Sequence, residues 1–214
     1  MIVLFDFDGV VIDTEGQYTE FWEQVGRDYL HRDGIGQAVK GQTLTHIYES
    51  LFGSSCSAQV EEITRKLYEF ESQMTFDYIP GVLPFIDELR IKGIRTAVCT
   101  SSNEQKMKAV LRKRPEAKRL FTAFLTAEHF LHSKPAPDCY LTGMKTLGAT
   151  PADTYIFEDS INGLKAAKAS GGHVVGLATT YPRERIRSLC EYVMDDFRGF
   201  DVACMVEKCG GTPL

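Results

Sequence analysis

The chain has 214 residues, of which 43% are hydrophobic and 25% are charged, and its net charge is −5 at pH 7. This length allows one substantial core and a smaller second module, in a composition typical of globular proteins. The acidic balance argues against nucleic acid or an anionic membrane as the main partner, because neither would be attracted over long range. Small anionic molecules stay possible, since a positive pocket can exist inside an acidic protein.

The cysteines stand at positions 56, 99, 139, 190, 204 and 209, without CxxC pairs. This spacing predicts reduced thiols rather than a disulfide framework. The start of the chain reaches a carboxylate at Asp6 and lacks the basic and apolar regions of a signal peptide. No uncharged apolar stretch of about 18 residues is present to span a bilayer. We therefore expect a cytoplasmic protein, with a monomer as the default state.

Short apolar runs recur along the chain, and each ends in polar residues. The runs lie at 2–5, 96–99, 154–157 and 174–177, with a further candidate at 121–125. Helical periodicity occurs between them, at 84–91, 104–112, 138–147 and 161–169. This alternation predicts an α/β fold with a Rossmann-like parallel sheet covered on both faces. Ligands of such sheets bind at the carboxyl ends of the strands, where the polar residues stand here.

The segment from about residue 15 to residue 80 breaks the alternation. Apolar residues recur there at helical spacing, in the sets Phe21, Trp22, Val25, Tyr29 and Ile63, Leu67, Phe70, Met74. We predict an α-helical cap domain at 15–80, inserted into a catalytic core formed by 1–14 and 81–214. The cap is expected to move on hinges near 13–15 and 78–81. Trp22 is expected to pack in the cap core rather than stack on substrate.

Asp6 and Asp8 stand two residues apart, just after the first predicted strand. An extended backbone would direct both carboxylates to one side, where they could reach the same pocket. One carboxylate could then attack phosphorus while the other, protonated part of the time, serves the leaving oxygen. A D-x-D pair alone also occurs in turns and helix caps. The catalytic interpretation therefore needs support from other parts of the chain.

Three other segments supply residues that phosphoryl transfer needs. Glu158 and Asp159 offer the hard oxygen ligands that Mg²⁺ prefers, although an acidic pair before a helix also acts as a cap. Lys134 lies in a proline-rich loop and could neutralise charge during transfer, although a single lysine is more often a solvated surface residue. Thr100 opens a hydroxyl-rich turn into a helix, where free amide groups bind anions or are capped.

Four motifs occur in a characteristic order, D-F-D-G-V-V-I-D-T, T-S-S-N, K-P-A-P-D and E-D-S-x-x-G. In this order they resemble the haloacid dehalogenase (HAD) superfamily, in particular the subgroup of β-phosphoglucomutase and related sugar-phosphate phosphatases. The resemblance extends from residue 2 to about residue 192. It also accounts for the helical insert, which would be the small cap domain that follows the first motif.

The resemblance implies a role for each matched residue. Asp6 would be the nucleophile that forms an aspartyl phosphate, and Asp8 would be the general acid and base. Thr100 and Lys134 would hold the phosphoryl oxygens, with Lys134 also orienting Asp6. The ligands of Mg²⁺ would be Asp6, the main-chain carbonyl of Asp8, Glu158 and Asp159. The substrate-binding candidates are Gly9, Thr14, Ser101, Ser102, Asn103, Gly41 and His46.

The cap loop favours a phosphatase over a mutase. In the mutase that this chain resembles, an arginine shortly after a Lys-Gly pair grips the distal phosphate, and Leu44 stands at that place here. Tyr18 stands where the mutase carries a histidine. Leucine cannot neutralise a second phosphate. We therefore expect a Mg²⁺-dependent phosphatase that acts on a small phosphorylated metabolite, such as a sugar phosphate. The alternatives are a β-phosphoglucomutase-type phosphosugar mutase and a non-catalytic phosphometabolite-binding protein.

Overall fold

The computed structural model describes residues 1–53 and 57–210. Its strands are β1 Ile2–Phe5, β2 Ile12–Asp13, β3 Asp77–Tyr78, β4 Arg95–Cys99, β5 Ala123–Leu125, β6 Thr154–Glu158, β7 His173–Leu177 and β8 Tyr192–Met194. In the described part of the chain, six of these strands form one parallel sheet in the spatial order β5-β4-β1-β6-β7-β8.

The α-helices are α1 Glu15–Val25, α2 Ile35–Ala38, α3 Leu44–Phe52, α4 Ser57–Gln73, α5 Val82–Ile91, α6 Glu104–Lys113, α7 Asp138–Leu147, α8 Ile161–Ser170, α9 Arg183–Ile186 and α10 Val202–Lys208. A π-helical turn at Gly26–Leu30 continues α1. Short 3₁₀ turns lie at Pro115–Arg119, Ala127–His129, Pro151–Asp153 and Arg187–Leu189. The order of strands and helices is that of a βαβ fold interrupted once by α1–α4.

Strand β1 is in the middle of the sheet and is buried on both faces. Ile2 and Leu4 belong to one hydrophobic cluster, whereas Val3 and Phe5 belong to the cluster on the other face. The ring of Phe5 stacks on Phe157 of β6, with 5.1 Å between the ring centroids. Burial on both faces explains why the strands read as continuous apolar runs instead of alternating patterns.

The neighbours of β1 determine where the site forms. Phe5 is in register with Val98 of β4 and with Phe157 of β6. Because all three strands run in the same direction, the segments that follow them leave the sheet at one edge. Residues that are about 90 and 150 positions apart in the chain therefore meet beside the end of β1.

Some elements differ from the sequence-based expectation. The candidate strand at 121–125 is shorter, because the 3₁₀ turn before it extends to Arg119 and Ala123 is the first residue in register with β4. Strand β8 was not predicted, since it has three residues and two of them are half-buried. Cys56, one of the cysteines predicted to be a reduced thiol, lies outside the described residues.

Helices α1–α4 pack around a hydrophobic cluster of their own. Its buried members are Trp22, Val25, Ile35, Val39, Ile47, Phe52, Ile63 and Leu67. Within it the Trp22 ring makes an edge contact with Tyr48, at 6.1 Å between centroids. This separate cluster supports the proposed cap domain at 15–80, and the division of the chain into two domains stays a prediction.

The two predicted hinge regions lie side by side. Strands β2 and β3 pair as an antiparallel ribbon, in which Ile12 is opposite Tyr78 and Asp13 is opposite Asp77. The chain thus enters and leaves the helical segment at the same place. Among the helices of residues 1–53 and 57–210, none has the length and hydrophobicity needed to cross a membrane.

The aromatic core gives a prediction about stability. Phe85 on α5 is 1% exposed and contacts the rings of Phe5, Phe157 and Phe197. Phe85→Ala should lower the free energy of unfolding by about 3–5 kcal/mol, because it leaves a cavity in the aromatic core. Denaturant unfolding followed by circular dichroism would measure this loss. The control is Ile91→Ala on the same helix, where the side chain is 80% exposed. A similar loss in both variants would contradict the prediction.

Candidate active site

The polar edge of the sheet brings the ends of β1, β4 and β6 together. Asp6 follows β1, Thr100 follows β4, and Glu158 and Asp159 stand at the end of β6. Lys134 comes from the loop that precedes α7, and its ammonium lies between two of these carboxylates. The four motifs singled out in the sequence therefore meet in one site.

A tight turn after β1 holds Asp6 and Asp8. The amides of Val11 and Ile12 both donate to the carbonyl of Phe7, at 2.9 and 3.0 Å. Gly9 has a φ of +72°, and a Cβ atom there would collide with the carboxylate of Asp159. The turn therefore requires glycine for its conformation and for the close approach of β6. The Gly9 carbonyl accepts a hydrogen bond from the Thr179 hydroxyl (2.6 Å). Gly9 does not line the cavity between the sheet edge and the helical segment.

Lys134 is the centre of a buried charge cluster. Its Nζ atom lies 2.7 Å from Oδ1 of Asp6 and 2.5 Å from Oε1 of Glu158, and the residue is 1% exposed. Glu158 also accepts hydrogen bonds from the Tyr140 hydroxyl (3.0 Å) and from the amides of Asp159 and Ser160 (2.8 Å each). Both oxygens of Glu158 are thus engaged by protein donors, which holds Lys134 in place.

The negative charges of the other two carboxylates in this cluster, Asp6 and Asp159, are less well compensated by hydrogen-bond donors and cations. Burial raises the pKa of Asp6 to about 7, against the lowering effect of Lys134 and with a further rise from Glu158 and Asp8. Burial also raises the pKa of Asp159 well above its usual range, and the Glu158, Glu15 and Asp6 charges add to that effect. Asp159 accepts a short hydrogen bond from the Thr180 hydroxyl. Both groups would be ionised more readily beside a cation.

These residues match the chemistry of a divalent-cation site. Oxygens of Asp6, Glu158 and Asp159 all lie within 4.8 Å of one another. Carboxylate oxygen is the hard donor that Mg²⁺ prefers. Burial, together with the neighbouring carboxylates, raises the pKa of Asp6 and of Asp159, and a cation between them would favour their ionised forms. Because the oxygens of Glu158 already accept hydrogen bonds, Asp6 and Asp159 are the better placed ligands.

Asp8 has a different environment from Asp6. Its carboxylate accepts hydrogen bonds from Thr14 (2.5 Å), Ser102 (2.8 Å) and the Lys106 ammonium (2.6 Å). Burial raises the pKa of Asp8, but the Lys106 charge and these hydrogen bonds outweigh burial and lower it. In this arrangement Asp8 is an ionised carboxylate and therefore a base. Thr14 bonds to Asp8 and does not line the cavity.

Lys106 was missed by the sequence analysis. It lies in the first turn of α6, is buried, and its ammonium is 4.0 Å from the centroid of the Tyr18 ring. The signal that could have identified it is its place three residues after Asn103, in the helix that starts at the predicted anion-binding turn. The Tyr18 hydroxyl in turn donates to Glu71 of α4, at 2.9 Å. Glu71 was also missed.

The turn after β4 is held by its own hydrogen bonds. The Thr100 hydroxyl accepts from the amide of Ser102 (3.0 Å), and the Asn103 side chain caps α6 by accepting from the amide of Lys106 (2.9 Å). The Ser101 hydroxyl donates to the Gly41 carbonyl, at 3.2 Å, which links this turn to the helical segment. The residues of this turn all line one cavity; they are Thr100, Ser101, Ser102 and Asn103.

One cavity joins the sheet edge to the helical segment. Its charged lining residues are Asp6, Asp8, Glu15, Lys40, Glu71, Lys106 and Asp159, and its apolar lining residues are Trp22, Val39, Leu44, Ile47 and Leu67. Gly41 and Tyr18 also line it. His46 is exposed and lies outside this lining, because its side chain is on the solvent side of α3. The predicted substrate-binding set is therefore brought together except for Gly9, Thr14 and His46.

The chain belongs to the haloacid dehalogenase-like hydrolases. A family model with that description matches residues 3–177, which is most of the chain. The match includes the catalytic candidates Asp6, Asp8, Thr100 and Lys134. The family resemblance predicted from the four motifs is confirmed.

Several characterised relatives are phosphatases. A phosphorylated carbohydrates phosphatase of Thermotoga maritima is 28% identical over 179 residues, covering 79% of this chain and 81% of the relative. A fructose-1-phosphate phosphatase of Escherichia coli is 27% identical over 173 residues, covering 79% of this chain and 92% of the relative. Hexitol phosphatase A of Escherichia coli is 29% identical and covers 81% of each chain. The predicted enzyme class, a phosphoryl-transfer hydrolase, is confirmed.

Solved structures share the whole architecture. A HAD hydrolase of family IA, variant 3, from Entamoeba histolytica has a TM-score of 0.82 at 20% identity, covering 98% of this chain and 99% of that chain. A β-phosphoglucomutase from Clostridium difficile has a TM-score of 0.82 at 18% identity, covering 98% of both chains. At these identities the similarity shows the fold alone. The predicted α/β fold is confirmed.

The charge cluster gives a prediction about pH and Mg²⁺. The pKa of Asp6 is about 7 in the folded chain, against an ordinary 3.8. The protonated Asp6 carboxyl therefore favours the folded state fully below about pH 4, and this stability is lost as the pH rises through about 7. We expect the metal-free protein to have a lower Tm at about pH 8 than at about pH 5. Added Mg²⁺ should raise the Tm more at the higher pH, because the ionised carboxylates bind it.

Asp6→Asn is the matched variant for this measurement, since it has no titrating group at that position. Its metal-free Tm should depend less on pH between about 5 and 8, and Mg²⁺ should stabilise it less. Differential scanning calorimetry would measure the Tm of both proteins at each of the two pH values, once with chelator and once with Mg²⁺. A metal-free Tm that is unchanged or higher at the upper pH would contradict the prediction.

Proposed function

We propose that the chain is a Mg²⁺-dependent phosphatase that hydrolyses a small phosphorylated metabolite, a sugar phosphate, through an aspartyl phosphate on Asp6. The observation that carries the proposal is the contrast between two carboxylates in one cavity. Asp6 is paired with the buried Lys134, whereas Asp8 is held by Thr14, Ser102 and Lys106. Two carboxylates in different environments can perform the two roles that phosphate ester hydrolysis requires.

In the first step, a carboxylate oxygen of Asp6 attacks phosphorus and forms an acyl phosphate. The bond between phosphorus and the ester oxygen breaks, and the leaving oxygen takes a proton from Asp8. Asp8 is ionised in the arrangement described here, so its proton must be acquired on substrate binding. An incoming phosphate would compete for the Lys106 ammonium and thereby raise the pKa of Asp8.

In the second step, a water molecule attacks the phosphorus of the aspartyl phosphate. Asp8 accepts a proton from this water, the bond between phosphorus and the Asp6 oxygen breaks, and inorganic phosphate leaves. Lys134 stabilises the carboxylate that Asp6 recovers. The Thr100 hydroxyl and the backbone of Ser101 would hold phosphoryl oxygens at the amino end of α6.

The metal would be held by Asp6, Asp159 and the main-chain carbonyl of Asp8. Bound there, Mg²⁺ would neutralise charge on the phosphoryl oxygens. Glu158 supports the site through Lys134, since both of its oxygens accept hydrogen bonds from the protein.

The lining of the cavity supports hydrolysis over the mutase alternative. A mutase must bind two phosphates, and Leu44 offers no charge to the second. Among the residues that the structure describes, the lysines that line the cavity are Lys40 and Lys106. Both already pair with carboxylates, Glu15 at 3.4 Å and Asp8 at 2.6 Å. The non-catalytic alternative is disfavoured because every expected catalytic side chain meets in the site.

The substrate class rests on the relatives, whose names refer to phosphorylated carbohydrates, fructose 1-phosphate and hexitols. We further propose that the protein acts in the cytoplasm as a monomer, with small molecules rather than nucleic acids or membranes as partners. The net charge of −5 supports this choice of partner. The described cysteines are free thiols, which suits a reducing compartment.

Asp6→Asn tests the nucleophile. We expect phosphate release from a panel of sugar phosphates to fall about 10³-fold or more, because an amide cannot form the acyl phosphate. Chelation of Mg²⁺ should abolish release by the unchanged protein. Asp87→Asn on α5, where the side chain is 55% exposed, is the matched control and should keep activity. Full activity of Asp6→Asn would rule out the mechanism. Interconversion of hexose 1- and 6-phosphates without phosphate release would favour the mutase.

Lys106→Met tests the new contact to Asp8. We expect kcat for phosphate release to fall about 10–100-fold, since in the second step Asp8 must accept a proton from water and loses the charge that keeps it ionised. The control is Lys108→Met on the same helix, whose side chain is 64% exposed. Steady-state kinetics with a sugar phosphate would measure both variants. Equal kcat values for the two variants would show that Lys106 has no part in the reaction.

A further inference from the structure

Glu71 is a buried carboxylate in the cavity that the proposed reaction does not use. It lies on α4, is 5% exposed, and lines the cavity from the helical segment. Its Oε1 atom accepts a hydrogen bond from the Tyr18 hydroxyl, at 2.9 Å. Among the hydrogen bonds of residues 1–53 and 57–210, this is the one that the Glu71 carboxylate forms. Oε2 therefore remains able to accept a donor from the cavity.

The cavity that Glu71 lines is partly apolar. Trp22, Leu44, Ile47 and Leu67 are apolar members of its lining. A carboxylate in such a setting is destabilised unless hydrogen-bond donors satisfy both oxygens. Consistent with this, burial raises the pKa of Glu71, although the Lys106 charge and the Tyr18 hydroxyl lower it.

The contacts of Tyr18 relate Glu71 to the reacting groups. The edge of the Tyr18 ring carries the hydroxyl that bonds Glu71, whereas its face carries the Lys106 ammonium. Lys106 in turn contacts Asp8, which would serve the leaving oxygen. Glu71 is therefore linked through the Tyr18 ring to the Lys106–Asp8 ion pair, and it lines the same cavity as Asp6 and Asp8.

We propose that Glu71 determines specificity by accepting a hydrogen bond from a hydroxyl group of the leaving group. This inference rests on the proposed phosphatase function and names its substrate class more narrowly. The substrate would be a monophosphate of a polyhydroxylated compound. A second phosphate on the leaving group would be repelled by the Glu71 charge, and an apolar leaving group would leave Oε2 without a donor.

The test compares a hexitol or hexose monophosphate with phenyl phosphate, whose leaving group carries no further hydroxyl. We measure kcat/KM for both substrates and form their ratio, which reports selectivity for the hydroxylated compound. In Glu71→Ala this ratio should fall about 10–100-fold, which is the range of hydrogen bonds to charged groups. The loss should appear in KM more than in kcat, because the contact is remote from phosphorus.

A second variant keeps the size of the side chain and removes its charge. Glu71→Gln should lower the same ratio about 3–10-fold, since a neutral acceptor forms a weaker hydrogen bond. It should also raise kcat/KM for a hexose bisphosphate relative to the monophosphate. Glu69→Gln on the same helix is the matched control, because its carboxylate is 62% exposed and pairs with Arg65.

Tyr18→Phe distinguishes a Glu71 that contacts the substrate from a Glu71 that only holds Tyr18 in place. If Glu71 only anchored Tyr18, removing the Tyr18 hydroxyl would lower the selectivity ratio as much as Glu71→Ala does. We expect a smaller loss, because Glu71 would still face the substrate. An equal loss in both variants would overturn the proposal, as would equal losses of kcat/KM for phenyl phosphate and the sugar phosphate. Turnover of neither substrate by the unchanged protein would instead overturn the phosphatase function and, with it, this inference.

Discussion

The structure depends on one buried ammonium group, that of Lys134. A lysine that is 1% exposed is tolerated only when carboxylates compensate its charge, and here Asp6 and Glu158 do so from the ends of adjacent strands. Glu158 is held by Tyr140 and by backbone amides, so the position of Lys134 follows from that of β6. Lys134 then orients Asp6. The packing of β1 against β6 is therefore also what positions Asp6, the proposed nucleophile.

The pKa values of two aspartates in one turn are shifted in opposite directions. Asp6 is buried among carboxylates, and its pKa is raised to about 7, whereas Asp8 meets the Lys106 ammonium and has a lowered pKa. The difference arises from the neighbours that the turn faces, since the residues are of the same type. Lys106 also contacts Tyr18 of the helical segment. The protonation of Asp8 is thus linked to the position of α1, the helix that carries Tyr18.

Much of the fold and of the chemical site could be predicted from the sequence by itself. Continuous apolar runs identified β1, β4, β6 and β7 because both faces of a parallel sheet are buried. The polar residues that follow those runs had to meet, because parallel strands end at one edge of a sheet. Asp6, Asp8, Thr100 and Asp159 were predicted in this way, whereas Lys134 was predicted from the proline-rich motif K-P-A-P-D. The order of apolar runs and polar motifs along the sequence was sufficient for these predictions.

The tertiary structure alone decided which side chains of the helices face the cavity. Lys106 and Glu71 are charged residues on helices, a pattern that usually indicates a solvated face, and their burial results from packing between α4, α6 and α1. His46 is the opposite case, because its side chain is exposed on α3. Helix orientation depends on contacts between segments that are distant in the chain, as in the 53-residue separation of Tyr18 and Glu71. The sequence therefore predicted the proposed reacting groups, because they follow strands that end at one edge of a sheet, and the tertiary structure decided which helix side chains line the cavity.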